Sequence, residues 1–141
     1  MHEISATLGN CIAYELYILS KFYFLLRDLS SNQLVGTIER NIQNLGSLLV
    51  LKLAGNRLSG TIPSELGLIS LSEIVLVDNN IEGTIPSTLG LVDTLNILDL
   101  NTNTLDGTMP GKICAMSLST LTADCKDNTA GVVCPCYTKC F

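Results

Sequence analysis

The chain has few of the residues on which catalytic and nucleic-acid-binding sites are usually built. It contains no tryptophan and one histidine, His2, which follows the first methionine. Only 15% of its 141 residues are charged, and the formal net charge is −5. Without a basic stripe, nucleic acid is not expected as a partner. Because the sequence shows no usable histidine, no glycine-rich phosphate loop and no paired acids, we predict that the chain is not an enzyme and uses no cofactor.

Targeting and membrane signals are also missing. The first residues, MHEIS, carry an acid and no basic cluster, so no cleavable signal peptide is visible. The apolar stretch from Ile12 to Leu29 is interrupted by charges such as Glu15 and Lys21, and is too short for a spanning helix. Apolar residues nevertheless make up 47% of the chain, which excludes a disordered protein.

Four segments of the chain repeat one pattern. They are LSSNQLVGTI (Leu29 to Ile38), LAGNRLSGTIP (Leu53 to Pro63), LVDNNIEGTIP (Leu76 to Pro86) and LNTNTLDGTMP (Leu100 to Pro110). Their asparagines are Asn32, Asn56, Asn79 and Asn103, at intervals of 24, 23 and 24 residues. A fixed period of this length is typical of a solenoid of stacked units. An extended surface then becomes a better functional prediction than a catalytic pocket.

The spacing within one repeat predicts its local structure. The alternation of Leu51 and Leu53 indicates a short strand with one face inward. The asparagine that follows can satisfy backbone groups at a bend, and stacked copies would form a buried asparagine ladder. A second bend is expected at Gly36, Gly60, Gly83 and Gly107. The arc from Ser64 to Ser70 is too short for a long helix, so we expect a 3₁₀ or irregular return segment.

The pattern LxxLxLxxNxLxGxIPxxLGxL, as in Leu48 to Leu68, resembles the plant-type leucine-rich repeat, and the resemblance covers about Phe24 to Ala123. It implies an α/β, mostly β, right-handed solenoid with one short parallel strand per repeat. Its concave face would recognise a protein, peptide or glycan. Members of the family are common in receptor-kinase ectodomains, receptor-like proteins and secreted inhibitors. We divide the chain into a degenerate N-terminal repeat or cap (1–23), about four full repeats plus one partial repeat (24–123), and a cysteine-rich C-terminal cap (124–141).

The cysteine-rich tail resembles the C-terminal cap of secreted algal leucine-rich-repeat proteins, although Tyr137 stands where a further cysteine is expected. The disulfide candidates in this region are Cys114, Cys125, Cys134, Cys136 and Cys140. Because their number is odd and Cys11 lies far away in sequence, we expect two disulfides and one free or intermolecular thiol, with open connectivity. A zinc site formed by the last four is the alternative, but we favour disulfides and predict no metal. The resemblance implies an extracellular or cell-surface location.

The N-terminal repeat departs from the pattern. Arg27 stands where leucine is expected, Glu39 replaces the proline, and Lys21 takes an asparagine position only 11 residues before Asn32. We therefore expect a truncated or misjoined C-terminal piece of a longer solenoid. Its signal peptide, and any link to a membrane, would belong to that longer parent chain. One form of this alternative is the ectodomain end of a receptor-like kinase.

Two surfaces are candidate binding sites. On the concave face, Val50, Val75, Val77 and Ile97 are expected to form an apolar strip edged by charges. The alternative is that β-branched residues merely suit a strand. The full set of candidate ligand-binding residues is Val50, Lys52, Arg57, Glu73, Val75, Val77, Asn80, Ile97, Asp99 and Asn101.

The second surface is a threonine column, which consists of Thr37, Thr61, Thr84 and Thr108. Regularly spaced hydroxyl and methyl groups on a flat face suggest an ice- or surface-binding protein as the alternative function. Threonine is also an ordinary strand residue, so the column has a purely structural explanation as well.

Overall fold

The computed structural model of the protein describes residues 26–124 and 131–135. A five-stranded parallel sheet runs the length of this region. Its strands, in spatial and sequence order, are β1 (Leu26–Asp28), β3 (Val50–Lys52), β5 (Glu73–Val75), β7 (Ile97–Asp99) and β9 (Thr120–Thr122). Each repeat contributes one strand, and each strand pairs with its equivalent in the next repeat. The predicted solenoid of short parallel strands is confirmed.

The structure contains a second set of short parallel strands, four of which follow the asparagine bend of their repeat. These strands are β2 (Val35–Thr37), β4 (Arg57–Ser59), β6 (Glu82–Thr84), β8 (Thr104–Thr108) and β10 (Val132–Val133). β2 pairs with β4, and β6 and β10 pair with the two sides of β8. A bridge between Thr61 and Glu82 links the two groups, so we call them together the second sheet. The expectation of one strand per repeat was therefore incomplete. The backbone around the glycine bend forms a second strand, which pairs with the equivalent strand of a neighbouring repeat.

The return segments are short helices, as the spacing predicted. Three 3₁₀ helices occupy Arg40–Asn44, Ser64–Leu68 and Ser87–Leu91, and a four-residue α-helix, α1, occupies Gly111–Cys114. Neighbouring return segments pack closely. A Cβ atom on Gly67 would lie 2.5 Å from the Thr88 carbonyl oxygen, so only glycine fits there.

The core lies between the two sheets and the return helices. The leucine, isoleucine and valine positions predicted from the repeat are buried from Leu48 to Ile113. Met116 and Leu118, at the start of the last partial repeat, are only partly buried. One repeat cannot cover its own apolar face, so each of these side chains is buried by the adjacent turn of the solenoid.

The repeated asparagines stabilise the first bend. The Asn79 amide donates to the carbonyl oxygens of Leu76 (3.1 Å) in its own repeat and Leu53 (2.9 Å) in the preceding one. Its Oδ1 accepts the backbone N–H of Leu58 at 3.0 Å. Asn56 and Asn103 bond in the same way. Asn32, in contrast, is exposed, and among the described residues its amide donates only to Leu29 and Ser30.

The residue before each asparagine has a left-handed backbone. The φ angles are 57° at Ser31, 64° at Gly55, 56° at Asp78 and 57° at Thr102. This conformation is unfavourable for side chains with a Cβ, and most of all for a β-branched one such as threonine. The repeat pattern did not predict a left-handed residue at this position, although Gly55 is the residue type that adopts this conformation most easily.

Candidate ligand-binding face

The outward side of the five-stranded sheet, which we call the concave face, presents side chains in columns across the repeats. The strand register places Val50, Glu73, Ile97 and Thr120 in one column. It places Asp28, Lys52, Val75, Asp99 and Thr122 in the next column. In β3, β5 and β7 the outward side chains alternate with the fully buried Leu51, Ile74 and Leu98, so each of these strands has one face in the core and one face available to a partner.

The apolar residues of the concave face do not form the uninterrupted strip that was expected. Glu73 stands between Val50 and Ile97, and Val75 stands between Lys52 and Asp99. Apolar and charged side chains therefore alternate both along the strands and across them. The outward valines and Ile97 are half-buried, so the surface is a mosaic rather than an apolar patch with a charged edge.

The N-terminal half of the concave face contains an ion pair. Lys52 Nζ lies 2.9 Å from Glu73 Oε2, and this hydrogen bond raises the pKa of Lys52. Asp28 lies beside Lys52 in register. The Ser30 backbone N–H, which donates to Asp28 Oδ1 at 3.0 Å, is the main cause of a lowered pKa at Asp28. The positive charge of Lys52 is therefore already neutralised by neighbouring carboxylates.

The C-terminal half differs, because its carboxylates form no ion pair in the part of the chain that the structure describes. Asp99 Oδ1 accepts a hydrogen bond from the Thr122 hydroxyl, and Asp124 Oδ2 accepts the backbone N–H of Asn103 at 2.8 Å. Asn101 follows Asp99 on the same side of the strand, and its side-chain oxygen is buried without a hydrogen-bond partner among the described residues. These interactions could not be foreseen, since they depend on how the shortened last repeat covers the one before it.

Two of the predicted ligand-binding residues lie beyond the first bend. Arg57 is the first residue of β4, and Asn80 lies two residues before β6. Both follow the ladder asparagine and are exposed at the corner between the concave face and the second sheet. They belong to the side of the solenoid next to the concave face rather than to its five-stranded sheet.

The threonine column lies along the second sheet, where all four side chains are exposed. A Cβ atom on Gly60 would lie 2.8 Å from the γ-methyl of Thr37, and one on Gly83 or Gly107 would lie 3.0 Å from the γ-methyl of the threonine in the repeat before it. The threonine methyl therefore occupies the space over the next glycine. This contact gives the column a packing role, while its use as an ice- or surface-binding face stays a prediction.

Several predictions concern residues outside the described ranges. These are the degenerate N-terminal unit, Cys11, and the cap cysteines Cys125, Cys136 and Cys140. Of the cap cysteines, Cys114 and Cys134 are described, and each is engaged with a partner. Across residues 26–124 and 131–135, no cluster of three potential metal ligands occurs. The same residues contain no helix with the length and apolar character needed to cross a membrane.

Comparison with known proteins identifies the repeat. The Leucine Rich Repeat family model matches residues 47–69. No curated protein matches the chain.

Solved structures of plant receptor ectodomains are similar to the chain over most of its length. The HAESA ectodomain of Arabidopsis, in complex with an N-terminally extended IDA peptide hormone, has 36% identity over 64% of this chain and 16% of that chain, with a TM-score of 0.62. The plant peptide hormone receptor RGFR1, in complex with RGF2, has 34% identity over 64% and 15% of the two chains, with a TM-score of 0.62.

A chain of the BIR3–SERK2 complex from Arabidopsis thaliana has 31% identity over 73% of this chain and 57% of that chain, with a TM-score of 0.59. The protein thus spans between 15% and 57% of the length of these three structures. Together with the repeat geometry, these matches show that the chain is built from leucine-rich repeats and has the leucine-rich-repeat solenoid fold.

Proposed function

We propose that the protein is a non-enzymatic recognition module that binds an extended peptide or protein segment on its concave face. The observation that carries this proposal is the five-stranded sheet itself, which holds half-buried apolar and charged side chains on a preformed surface. A preformed surface loses little conformational entropy on binding, so its contacts contribute more of their energy to affinity. The proposed contact residues on the sheet are Val50, Lys52, Glu73, Val75, Val77, Ile97, Asp99 and Asn101, with Arg57 and Asn80 at the corner.

Similar structures support a peptide or protein ligand. Two of them contain a peptide hormone receptor or receptor kinase in complex with its ligand, and a third is the complex of BIR3 with SERK2. A glycan ligand receives no support from these structures. Because similar proteins are receptor ectodomains, we place the protein outside the cell or at its surface.

An oxidised C-terminal cap is part of the same proposal. Cys114 and Cys134 are each engaged with a partner, and we propose that this engagement is a disulfide bond. Disulfides persist in oxidising environments, so such a bond would agree with an extracytoplasmic location. A disulfide that closes a loop of this size contributes about 3 kcal/mol, where the solenoid would otherwise have an open end. We propose residues 124–141 as this cap, residues 24–123 as the repeats and residues 1–23 as an N-terminal unit.

Binding to a displayed library of 12-residue peptides tests the function. Peptides selected on the full oxidised chain are synthesised and titrated by fluorescence anisotropy. Replacing Val75 and Val77 with alanine removes apolar contact area from the middle of the concave face, so we expect affinity to fall about tenfold or more. The matched control replaces Val35 and Val133, two exposed valines of the second sheet, and should leave affinity unchanged. Equal affinities in the two double variants would overturn the proposal.

A further inference from the structure

We infer that the C-terminal half of the concave face, centred on Asp99, binds a lysine or arginine side chain of an extended peptide. This inference rests on the proposed function and adds the charge of the ligand and its position on the sheet. Three features of the described residues support it. They are a carboxylate whose one hydrogen-bond partner is neutral, apolar side chains around it, and an unequal distribution of charge between the two halves of the face.

The Asp99 carboxylate has one neutral partner. Its Oδ1 accepts the Thr122 hydroxyl, and no other hydrogen bond or ion pair reaches the carboxylate from the described residues. Thr122 is the register neighbour of Asp99 on β9 and is only 7% exposed, so this contact holds the carboxylate in place from the adjacent strand. The remaining carboxylate oxygen is available to a donor from outside. A charged donor forms a shorter and stronger hydrogen bond with such an oxygen than a neutral one does.

The surroundings of Asp99 suit the long side chains of lysine and arginine. Val75 is its register neighbour on the preceding strand, and Ile97 lies on the same side of its own strand. Both are half-buried and offer apolar surface next to the carboxylate. Lysine and arginine place their methylene groups along apolar surface while the charged end reaches a polar partner. A small cation lacks methylene groups and would leave this apolar surface uncovered.

The distribution of charge places the cation in the C-terminal half. In the N-terminal half, Lys52 already lies 2.9 Å from Glu73, so a basic ligand there would compete with an existing ion pair. In the C-terminal half, Asp99 and Asp124 form no ion pair with a basic side chain of the described residues. A cationic ligand residue would have to displace Lys52 from its carboxylates in the N-terminal half, whereas Asp99 offers a carboxylate without an ion-pair partner among the described residues, so the difference favours the C-terminal half.

The peptide selection described above tests this inference when it is repeated with two charge variants. Asp99→Asn removes the charge, while the asparagine oxygen can still accept the Thr122 hydroxyl, so the fold is retained. Asp106→Asn makes the same change in charge on the exposed second sheet. Peptides selected on the wild-type chain should be enriched in a lysine or arginine next to an aliphatic residue.

The affinity of a representative peptide should fall about tenfold in Asp99→Asn and stay unchanged in Asp106→Asn. Replacing its lysine by norleucine, or its arginine by citrulline, should cause a similar loss, and this change should have no further effect in Asp99→Asn. The outcomes separate the two proposals. If the selected peptides require Val75 and Val77 for binding but show no enrichment in lysine or arginine, that result overturns this inference alone. Peptides that bind Asp99→Asn as tightly as the wild type have the same consequence. Peptides that are insensitive to Val75 and Val77 overturn both.

Discussion

The two sheets of the solenoid use the repeats in opposite ways. In the second sheet, glycine followed by threonine recurs without change in all four repeats. In the concave sheet, equivalent outward positions hold Val50, Glu73 and Ile97. The glycines have positive φ angles, and from Gly60 onward the threonine methyl of the preceding repeat lies over each of them. Backbone geometry therefore dictates residue type in the second sheet, whereas the outward positions of the concave sheet are free to differ.

This difference separates stability from recognition. A position at which every repeat needs the same residue cannot distinguish one ligand from another, because it presents the same group in each turn. A position without such a requirement can carry an ion pair at one turn, as at Lys52, and an unpaired carboxylate at another, as at Asp99. We therefore expect substitutions in the ladder and the second sheet to alter stability, and substitutions on the concave face to alter binding.

The largest effect should come from breaking the bend that joins the two sheets. In Asn79→Ala, the Leu58 N–H loses its acceptor at a position where Asn79 is only 8% exposed. The three carbonyl oxygens that accept from Asn79 each lose one of two hydrogen bonds, since the Asn56 amide, the Asn103 amide or the Gly55 N–H still donates to them. One unsatisfied buried group costs about 1–3 kcal/mol and each further lost hydrogen bond about 1 kcal/mol, so the free energy of unfolding should fall by about 3 kcal/mol. Urea denaturation followed by circular dichroism measures this loss.

Asn32→Ala is the matched control, because Asn32 is exposed and its amide makes only local bonds to Leu29 and Ser30. The free energy of unfolding of Asn32→Ala should fall by about 1 kcal/mol or less. If both variants lost the same stability, the hydrogen bonds between repeats would not be the source of the ladder's contribution.

A smaller effect should come from the glycines of the second sheet. Gly60 has a φ of +72°, and an added Cβ would lie 2.8 Å from the Thr37 methyl. Gly36 also has a positive φ, of +99°, but an added Cβ would meet nothing within 4 Å. Gly60→Ala should therefore lower the free energy of unfolding by about 2 kcal/mol, and Gly36→Ala by about 1 kcal/mol.

Thr37→Ser removes the methyl group that an added Cβ at position 60 would meet. In that background, Gly60→Ala should lower the thermal midpoint by about as much as Gly36→Ala does. If Thr37→Ser left the cost of Gly60→Ala unchanged, the backbone angle alone would explain the glycine and the packing role of the threonine would be wrong.

How much of this could be predicted differs between the core and the surface. The inward positions, the asparagine bend and the 3₁₀ return segments follow from spacing within one repeat, so the sequence was sufficient for them. The second sheet was missed because glycine and threonine at a bend do not show that the backbone continues to pair. The position of Glu73 between Val50 and Ile97 was not foreseen, since it follows from the register of adjacent strands, and binding through these apolar residues stays a prediction. The bond between Thr122 and Asp99 depends on the last repeat, which departs from the pattern.

Left-handed residues at the bend allow a stabilising substitution. Thr102 is exposed and has a φ of 57°, while the equivalent residue in the second repeat is Gly55. Thr102→Gly should raise the free energy of unfolding by about 1 kcal/mol, because glycine adopts this conformation without steric cost. Thr108→Gly, which makes the same change within strand β8, should lower it by a similar amount. If the urea midpoints of Thr102→Gly and Thr108→Gly moved in the same direction, the backbone of position 102 would not be a source of strain.

The smallest effect on stability should come from the ion pair of the concave face. The hydrogen bond that Lys52 donates to Glu73 raises the pKa of Lys52, so the charged form of Lys52 is favoured by folding. Its contribution is therefore present in full below the pKa of an unfolded lysine, about 10.4, and is lost only as the pH rises through the raised value. An NMR titration of the Lys52 ε-methylene group should show this raised pKa in the wild type and an ordinary one in Glu73→Gln. Between pH 6 and 9 the thermal midpoint of Glu73→Gln should stay close to that of the wild type, because a solvent-exposed pair contributes little. A large fall in that midpoint would mean that the concave face also carries stability, and the separation between the two sheets would no longer hold.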